Sequence, residues 1–173
     1  MENLQYPIGK FEYGKTYTFA ETKANIKHIE EFPHKLQALV DTLGEAQLKT
    51  PYREGGWNPI QVAHHLADSH MNACIRFKLA LTEDNPTIKP YLEDKWATLP
   101  DYQNTPINIP LQLLQALHIR WASLLNSLTA QDFERTYVHP ESKHTFKLSE
   151  VAALYAWHCA HHFGHIQIVA YAG

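Results

Sequence analysis

Four histidines lie within eight residues near the C-terminus, in the segment His158-Cys-Ala-His161-His162-Phe-Gly-His165. At about 100° per residue in a helix, His158, His161 and His165 fall in the same sector as the apolar residues of this segment. A polar ring in a stripe that should pack a core costs free energy unless a partner satisfies it. His161 and His165 are one turn apart, a spacing that can hold one divalent metal ion. The segment therefore indicates a metal-dependent activity.

The His-x-x-x-His spacing is weak evidence when taken alone, because the chain has 12 histidines among 173 residues. Two such pairs occur, His158/His162 and His161/His165. The alternative interpretation is that these rings are ordinary buried side chains bonded to neighbours or water. For His158 and His162 that reading stands beside a second one, in which they orient a metal ligand or move a proton.

A further ligand can come from the second predicted helix, which contains His64, His65 and His70. The apolar stripe of this helix includes Val62 and Phe77. His64 points nearly opposite that stripe and should meet solvent, whereas His65 and His70 lie at its two edges. The periodicity argues against His64 and leaves His65 and His70 open. Facing helices of a bundle build sites from inward side chains, so one histidine here and two near the C-terminus are a reasonable ligand set.

Three neutral imidazoles would leave a divalent ion its full charge and at least one open coordination position. A water there would have its pKa lowered towards about 7. Structural zinc sites are usually closed by four ligands and rich in cysteine, but only Cys74 and Cys159 are present. Cys159 lies off the ligand sector, and Asp68, one turn from His65, tilts towards solvent. The pattern favours an open site for chemistry, holding Zn²⁺ or Ni²⁺.

The bulk composition narrows the setting in which this chemistry would occur. A chain of 173 residues fits a single domain, residues 1–173, with one core. The net charge of -3 gives no electrostatic reason to bind nucleic acid or an anionic membrane. The N-terminal residues lack the apolar run of a signal peptide, and no stretch approaches the ~20 apolar residues that cross a bilayer. We expect a cytoplasmic protein with two free thiols.

Four segments have a helical period and together predict an all-α four-helix bundle. They cover about residues 21–43, 58–81, 108–128 and 149–171. Pro33 should kink or restart the first helix, and Gly44 should cap its C-terminus. Asn58 and Pro59 have the residue types of an N-cap and first helical position. Ser149 is the expected cap of the last helix.

A long connection, residues 82–107, separates the second and third predicted helices. A connection of this length is usually functional or serves as a crossover. Its Tyr91, Trp96 and Tyr102 could close over a site, with Trp96 or Tyr91 nearest the opening, or could simply hold the loop in place. Further along, residues 136–147 alternate weakly between polar and apolar, which predicts a small hairpin.

A specific combination of motifs extends over nearly the whole chain. These are YPIG at 6–9, TPYREGGW at 50–57, QVAHHLADSHMN at 61–72, RFKLALTE at 76–83 and WHxxHHxxHI at 157–166. Together they resemble the YfiT branch of the DinB-like bundle superfamily. The resemblance implies an up-down-down-up four-helix bundle, usually a homodimer, described as a metal-dependent hydrolase.

The resemblance also implies a ligand set for one metal ion per subunit. The family's metal is held by the histidine before leucine in His-His-Leu, here His65, and by the final His-x-x-x-His, here His161 and His165. Related members are described as thiol S-transferases that join a low-molecular-weight thiol such as bacillithiol to electrophiles.

Three functions remain open from the sequence. The first is a metal-dependent hydrolase that activates water towards a small-molecule substrate. The second is a thiol S-transferase of the bacillithiol type, because a Lewis-acidic ion stabilises hydroxide and thiolate alike. The third is a non-catalytic metal-binding bundle, which a ligand set closed by Asp68 or His158 would favour. An open coordination position facing a cavity would favour the two enzymes.

Overall fold

The computed structural model describes residues 2–172, and its elements are numbered here in chain order. They are helices α1 (Glu2–Gln5), α2 (Phe19–Val40), α3 (Glu45–Leu48), α4 (Pro59–Thr82), α5 (Glu93–Trp96), α6 (Pro100–Asn104), α7 (Asn108–Ser127) and α8 (Leu148–Tyr171), a 3-10 turn at Asp132–Glu134, and strands β1 (Thr136–His139) and β2 (His144–Lys147).

The long helices α2, α4, α7 and α8 form a four-helix bundle, as the periodicity predicts. Helix α2 packs against α7 and α8, and α4 packs against the same two helices. Consequently α2 and α4 lie diagonally across the bundle, and α8 is in contact with both. No described helix combines the length and the apolar character that crossing a membrane would require. Cys74 and Cys159 are buried free thiols, as expected.

The start of α4 is fixed locally, by the residues that the sequence indicates. The Asn58 side chain accepts a hydrogen bond from the Gln61 backbone N–H at 2.9 Å, and Gln61 Oε1 accepts from the Asn58 backbone N–H at 3.2 Å. Pro59 occupies the first helical position, where its missing N–H costs nothing. This reciprocal cap sets the register of α4 and therefore the direction in which its histidines point.

Two predicted helix ends are wrong. Helix α2 ends at Val40 with Asp41 as its C-cap, and Gly44 instead precedes α3. Helix α8 begins at Leu148, so Ser149 lies inside the helix and Lys147 takes the cap position without a side-chain hydrogen bond. The reason is that β2 runs directly into α8, and the Leu148 N–H pairs with the Arg135 carbonyl at 2.9 Å.

Pro33 neither ends nor restarts α2, which continues through it as one helix. A proline has no N–H, so the carbonyl of Ile29, four residues earlier, lacks the donor that the helix would normally supply. That carbonyl instead accepts a hydrogen bond from Nδ1 of His118 on α7, at 2.6 Å. The predicted restart is wrong, because a neighbouring helix satisfies the carbonyl that proline leaves free.

Two clusters of buried side chains form the core. One includes Phe77, Trp121 and Tyr155, and the other includes Phe32 and Leu66. Buried imidazoles lie between them: the rings of His70 and His118 are 6.0 and 5.9 Å from that of Phe32, and 5.9 and 5.7 Å from that of Trp121. The core therefore contains polar groups that need partners.

The predicted hairpin is confirmed and holds part of the long connection in place. Strands β1 and β2 pair antiparallel, with Tyr137 opposite Phe146. Val138 of β1 donates its N–H to the Pro86 carbonyl at 2.9 Å, and the Ile88 N–H donates to the Val138 carbonyl at 3.0 Å. The connection is thus attached to the hairpin before it forms α5 and α6.

Candidate metal centre

One cavity of about 540 Å³ gathers five histidines. His65 enters it from α4, and the other four enter from α8: His158, His161, His162 and His165. These rings are buried, except for His158, which is half-buried. The other walls come from the N-terminal segment, the 52–57 loop and the long connection. The histidine-rich face of α8 therefore faces a cavity, as its sequence pattern suggests.

Within this cavity the described residues form two groups of histidines that could hold a metal ion. The first consists of His65, His158 and His162, and the second of His161, His162 and His165. In each group one ligand nitrogen per residue lies within 4.8 Å of the others. His162 is common to both, so the two groups adjoin.

The structure places the three ligands implied by the resemblance in one cavity but not in one such group. His65 groups with His158 and His162, whereas His161 and His165 group with each other and with His162. Both α8 pairs have the same spacing of four residues, so the spacing does not distinguish them. The set of His65, His161 and His165 stays a prediction, and the geometry offers His158 and His162 as the alternative α8 pair.

His65 is held at the centre of the site. Its Nε2 is 3.2 Å from Nε2 of His158, a separation at which one N–H can donate to the other nitrogen, or at which both can face a shared ion. Its Nδ1 is buried without a hydrogen-bond partner among the described residues and lies 3.9 Å from Oε2 of Glu93. Burial, followed by the effect of His161 and His165, lowers the pKa of His65 to about 3.

His158 is hydrogen-bonded on its far side to a second buried ring. Its Nδ1 is 3.0 Å from Nε2 of His70, whose Nδ1 is 2.7 Å from Nε2 of His118. This series of hydrogen bonds ends at the backbone carbonyl of Ile29, which accepts from Nδ1 of His118. His70 lies at the edge of the α4 stripe and His118 lies among the apolar residues of α7. From the sequence, His70 is a candidate only as a metal ligand and His118 is not a candidate at all, although an imidazole among buried apolar residues is the available signal.

His162 and His165 form a second, shorter chain. His165 Nε2 donates to the carbonyl of Gln5 at 3.1 Å, and its Nδ1 lies 3.3 Å from Nδ1 of His162. The His165 ring stacks on Tyr52 with 3.9 Å between centroids and 15° between planes. Residues from the N-terminal segment and the 52–57 loop thus hold these two α8 rings in orientation.

His161 is held by contacts with neighbouring rings. It stacks on Trp157 at 4.5 Å between centroids, and its Nδ1 is buried without a hydrogen-bond partner among the described residues. Burial lowers its pKa to about 4. An orphaned buried nitrogen is costly and calls for a ligand or an ion.

His64 lies away from the site, as expected, but its predicted exposure to solvent is wrong. It is buried: its Nε2 is 3.3 Å from the Thr105 carbonyl, and its ring stacks on Tyr102 at 4.9 Å. The reason is that α6 covers this face of α4. Asp68 also turns towards α6, where it accepts a hydrogen bond from the Tyr102 hydroxyl at 2.7 Å, and it belongs to neither of the two histidine groups.

The long connection contributes carboxylates to the cavity. Glu93 and Asp94 line it, whereas Tyr91 lines a neighbouring cavity together with His158. Trp96 packs on Tyr91 with 4.5 Å between ring centroids. Of the connection, it is therefore Glu93 and Asp94 that line the histidine cavity, whereas Tyr91 and Trp96 do not. The expectation that Trp96 or Tyr91 lies nearest the open coordination position stays a prediction.

The donor set fits a divalent metal ion. Burial is the first cause of a lowered pKa for every histidine of the cavity, so all five are neutral near pH 7 and have a lone pair to donate. The buried unpartnered Nδ1 of His161 is a further sign of a ligand or ion in this cavity. Neutral imidazoles without cysteine suit zinc, nickel and related ions.

Comparison with known proteins assigns the family. Residues 28–166 match the DinB superfamily. The chain belongs to the DinB superfamily. A Bacillus cereus (strain G9842) protein named "Putative metal-dependent hydrolase" is 52% identical over 166 residues, covering 96% of this chain and 95% of the relative. A Bacillus anthracis (strain A0248) relative with the same name is 51% identical over the same shares of both chains.

A solved structure agrees with this assignment. YfiT from Bacillus subtilis, described as a probable metal-dependent hydrolase with an unusual four-helix bundle topology, superposes with a TM-score of 0.93. It is 46% identical, and the match covers 96% of this chain and 95% of that chain. The resemblance seen in the sequence motifs and the predicted fold are thereby confirmed.

Proposed function

We propose that this DinB-superfamily protein is a metal-dependent hydrolase that acts on a small-molecule substrate. The observation that carries the proposal is the convergence of His65, His158 and His162, whose ligand nitrogens lie within 4.8 Å of one another in a cavity. The names of the B. cereus, B. anthracis and B. subtilis relatives support the same reaction class.

The proposed metal is a single Zn²⁺ per subunit, with Ni²⁺ as the alternative ion. It is held by His65 and by two histidines of α8. When bound, such an ion supplies a Lewis acid that lowers the pKa of water and polarises a substrate oxygen. The geometry supports His158 and His162 as the α8 ligands, and the family resemblance supports His161 and His165. Substitution of each pair separates the two assignments.

The other residues of the cavity supply binding and orientation. Arg53 lines it, and Nε of its guanidinium is buried without a hydrogen-bond partner among the described residues. The same guanidinium lies 5.4 Å from the Tyr52 ring centroid and donates from its terminal nitrogen to the Glu54 carbonyl at 2.9 Å. We propose that Arg53 donates to an oxygen of the substrate, with Trp57 as part of an apolar wall.

The proposal is tested on the full chain loaded with Zn²⁺. Metal content is measured by mass spectrometry, and turnover is measured on a panel of esters and amides, with and without a low-molecular-weight thiol and an electrophile. One ion per chain and hydrolysis without thiol, both lost in His65→Ala, are the expected results.

Two other outcomes would overturn the proposal in different directions. Turnover only when thiol and electrophile are both present, with thiol consumed, would identify an S-transferase. Full metal occupancy with no turnover on either panel would identify a non-catalytic metal-binding bundle.

A further inference from the structure

A chain of hydrogen-bonded rings crosses the bundle and ends at the metal centre. It begins at the Ile29 carbonyl of α2 and passes through His118 of α7 and His70 of α4 to His158 of α8. The successive separations are 2.6, 2.7 and 3.0 Å. Each of the four long helices contributes one group. The rings of His70 and His118 are buried, at 0% and 1% exposure.

The direction of these hydrogen bonds is set at the Ile29 end. A carbonyl only accepts, so Nδ1 of His118 must be the atom that donates to Ile29. The carbonyl is free to accept because Pro33, four residues later in α2, has no N–H to offer it. The proline inside α2 thus leaves free the carbonyl at which this series of hydrogen bonds begins.

The donor and acceptor atoms of the next rings follow from that of His118. A neutral imidazole has one N–H and one lone pair, so a His118 that donates from Nδ1 must accept at Nε2. His70 therefore donates from Nδ1 and accepts at Nε2, and His158 in turn donates from Nδ1. The atom of His158 left with a lone pair is Nε2, which lies 3.2 Å from Nε2 of His65.

We propose that His118 and His70 are positioning residues that fix His158 in the Nδ1–H tautomer, so that its Nε2 is a metal ligand. This inference rests on the proposed metal-dependent function. Metal-bound histidines commonly donate their other N–H to a fixed acceptor, and loss of that acceptor lowers metal affinity. What is particular to this chain is that the acceptor is a second histidine, whose own tautomer is fixed by a third.

The reverse tautomers are disfavoured by the burial of the chain. If His70 carried its proton on Nε2, its Nδ1 lone pair would face the Nε2 lone pair of His118 across 2.7 Å, and neither buried nitrogen would have a donor. Unsatisfied buried donors and acceptors each cost on the order of 1–3 kcal/mol. Burial also lowers the pKa of His118 to about 4, so this ring is neutral near pH 7. His70 is 0% exposed and has no carboxylate partner among its hydrogen bonds, which disfavours its charged form.

The chain through His165 gives His162 the same orientation from the other side. His165 Nε2 must donate to the Gln5 carbonyl, so its Nδ1 accepts, and His162 donates to it from Nδ1. Nε2 of His162 is then the lone-pair atom. Both α8 residues that group with His65 are thereby left with an unprotonated Nε2 by hydrogen bonds that end on backbone carbonyls.

The first test uses the unmodified protein without metal. Nitrogen-15 NMR of histidine-labelled full chain near pH 7 reports which ring nitrogen of each histidine carries the proton. We expect His118, His70 and His158 all to be Nδ1–H tautomers. A proton on Nε2 of His158 in the wild-type protein would overturn the inference without affecting the proposed hydrolase.

The second test replaces His118, the ring that donates to the Ile29 carbonyl. His118→Leu deletes the acceptor for His70, whereas His118→Gln retains a carbonyl oxygen that can accept from the His70 N–H. His64→Leu is the matched control, because it removes another buried histidine of the bundle. Circular dichroism establishes that each variant is folded.

The readout is the Zn²⁺ dissociation constant, measured by chelator competition. We expect His118→Leu to weaken binding by about 10- to 100-fold, His118→Gln to recover most of the loss, and His64→Leu to bind like the wild type. Equal affinity in His118→Leu and wild type would overturn the positioning role. Failure of the wild type itself to bind Zn²⁺ would instead overturn the proposed function.

Discussion

Nδ1 of His65 lies 3.9 Å from the Glu93 carboxylate, while Nε2 of the same ring faces His158 at 3.2 Å. A carboxylate beside the outer nitrogen of a metal-binding imidazole orients the ring and raises its basicity. Glu93 lies at the start of α5, so the long connection supplies this group to a ligand on α4.

The first prediction concerns this pair. We expect Glu93→Gln to weaken Zn²⁺ binding by about tenfold, because an uncharged amide supports the His65 ring less well than a carboxylate. Chelator competition measures the change. Asp94→Asn is the control, since Asp94 lines the same cavity but is not paired with His65. Equal losses in both variants would show that only the net charge of the cavity matters.

The second prediction separates the two candidate α8 ligand pairs. We expect His65→Ala, His158→Ala and His162→Ala each to lose most bound metal, because two histidines rarely hold a divalent ion tightly. Metal content is measured after gel filtration. His64→Ala is the matched control and should bind like the wild type, because its ring bonds to Thr105 outside the site.

His161→Ala and His165→Ala decide the outcome of that comparison. If these two variants lose the metal while His158→Ala and His162→Ala retain it, the assignment from the family resemblance is correct and the geometric grouping is not. Loss of metal in His158→Ala and His162→Ala alone supports the geometric grouping.

The third prediction is a loss of stability in acid. Burial lowers the pKa of His118 in the folded protein to about 4, from an ordinary value of 6.5. As the pH falls below 6.5, the unfolded chain therefore takes up protons that the folded chain refuses. The stabilisation is complete above pH 6.5 and decreases until the pH reaches about 4. For each such histidine, the free energy of unfolding decreases by about 1.4 kcal/mol for every unit by which the pH falls in this range.

Urea denaturation with a chelator present checks this prediction without the effect of metal release. We expect the slope of unfolding free energy against pH to be steeper than the uptake of one proton would give, because burial also lowers the pKa of His65 to about 3. In His118→Gln the slope should decrease by the contribution of about one proton, which is about 1.4 kcal/mol per pH unit. A flat profile between about pH 6.5 and about pH 4.5 would contradict the neutral, buried state of these rings.

The fourth prediction concerns Gly164, where α8 meets the N-terminal segment. A Cβ at this position would lie 2.9 Å from Cγ of Pro7, so a side chain must displace the segment that carries the Gln5 carbonyl. We expect Gly164→Ala to lower the free energy of unfolding by about 1–3 kcal/mol. Thermal and urea denaturation measure it.

The control for this prediction is a double substitution. Pro7→Gly removes the atoms that the new methyl would meet, so Gly164→Ala should cost less in that background than in the wild type. An equal cost in both backgrounds would locate the effect within α8 itself. A change in the tautomer of His165 in the single variant would link the packing to the metal centre.

The sequence by itself determined the elements and their inward faces. The start of α4 was predictable because the Asn58–Gln61 cap involves residues three apart. The histidines of α8 were predictable as inward-facing because helical angle depends only on separation along the chain. The motifs were likewise enough for the family.

Only the tertiary structure decided how these faces meet. Helical periodicity fixes the angle of a side chain about its own axis, but not the axial offset between helices or the face that a loop covers. His64 is buried because α6 lies over it, and His65 groups with His158 and His162 because of how α4 and α8 are offset. The tautomers depend on distant carbonyls: His118 on Ile29, 89 residues away, and His165 on Gln5, 160 residues away. Contacts at such separations are fixed by the packing of the whole bundle, which no local pattern encodes.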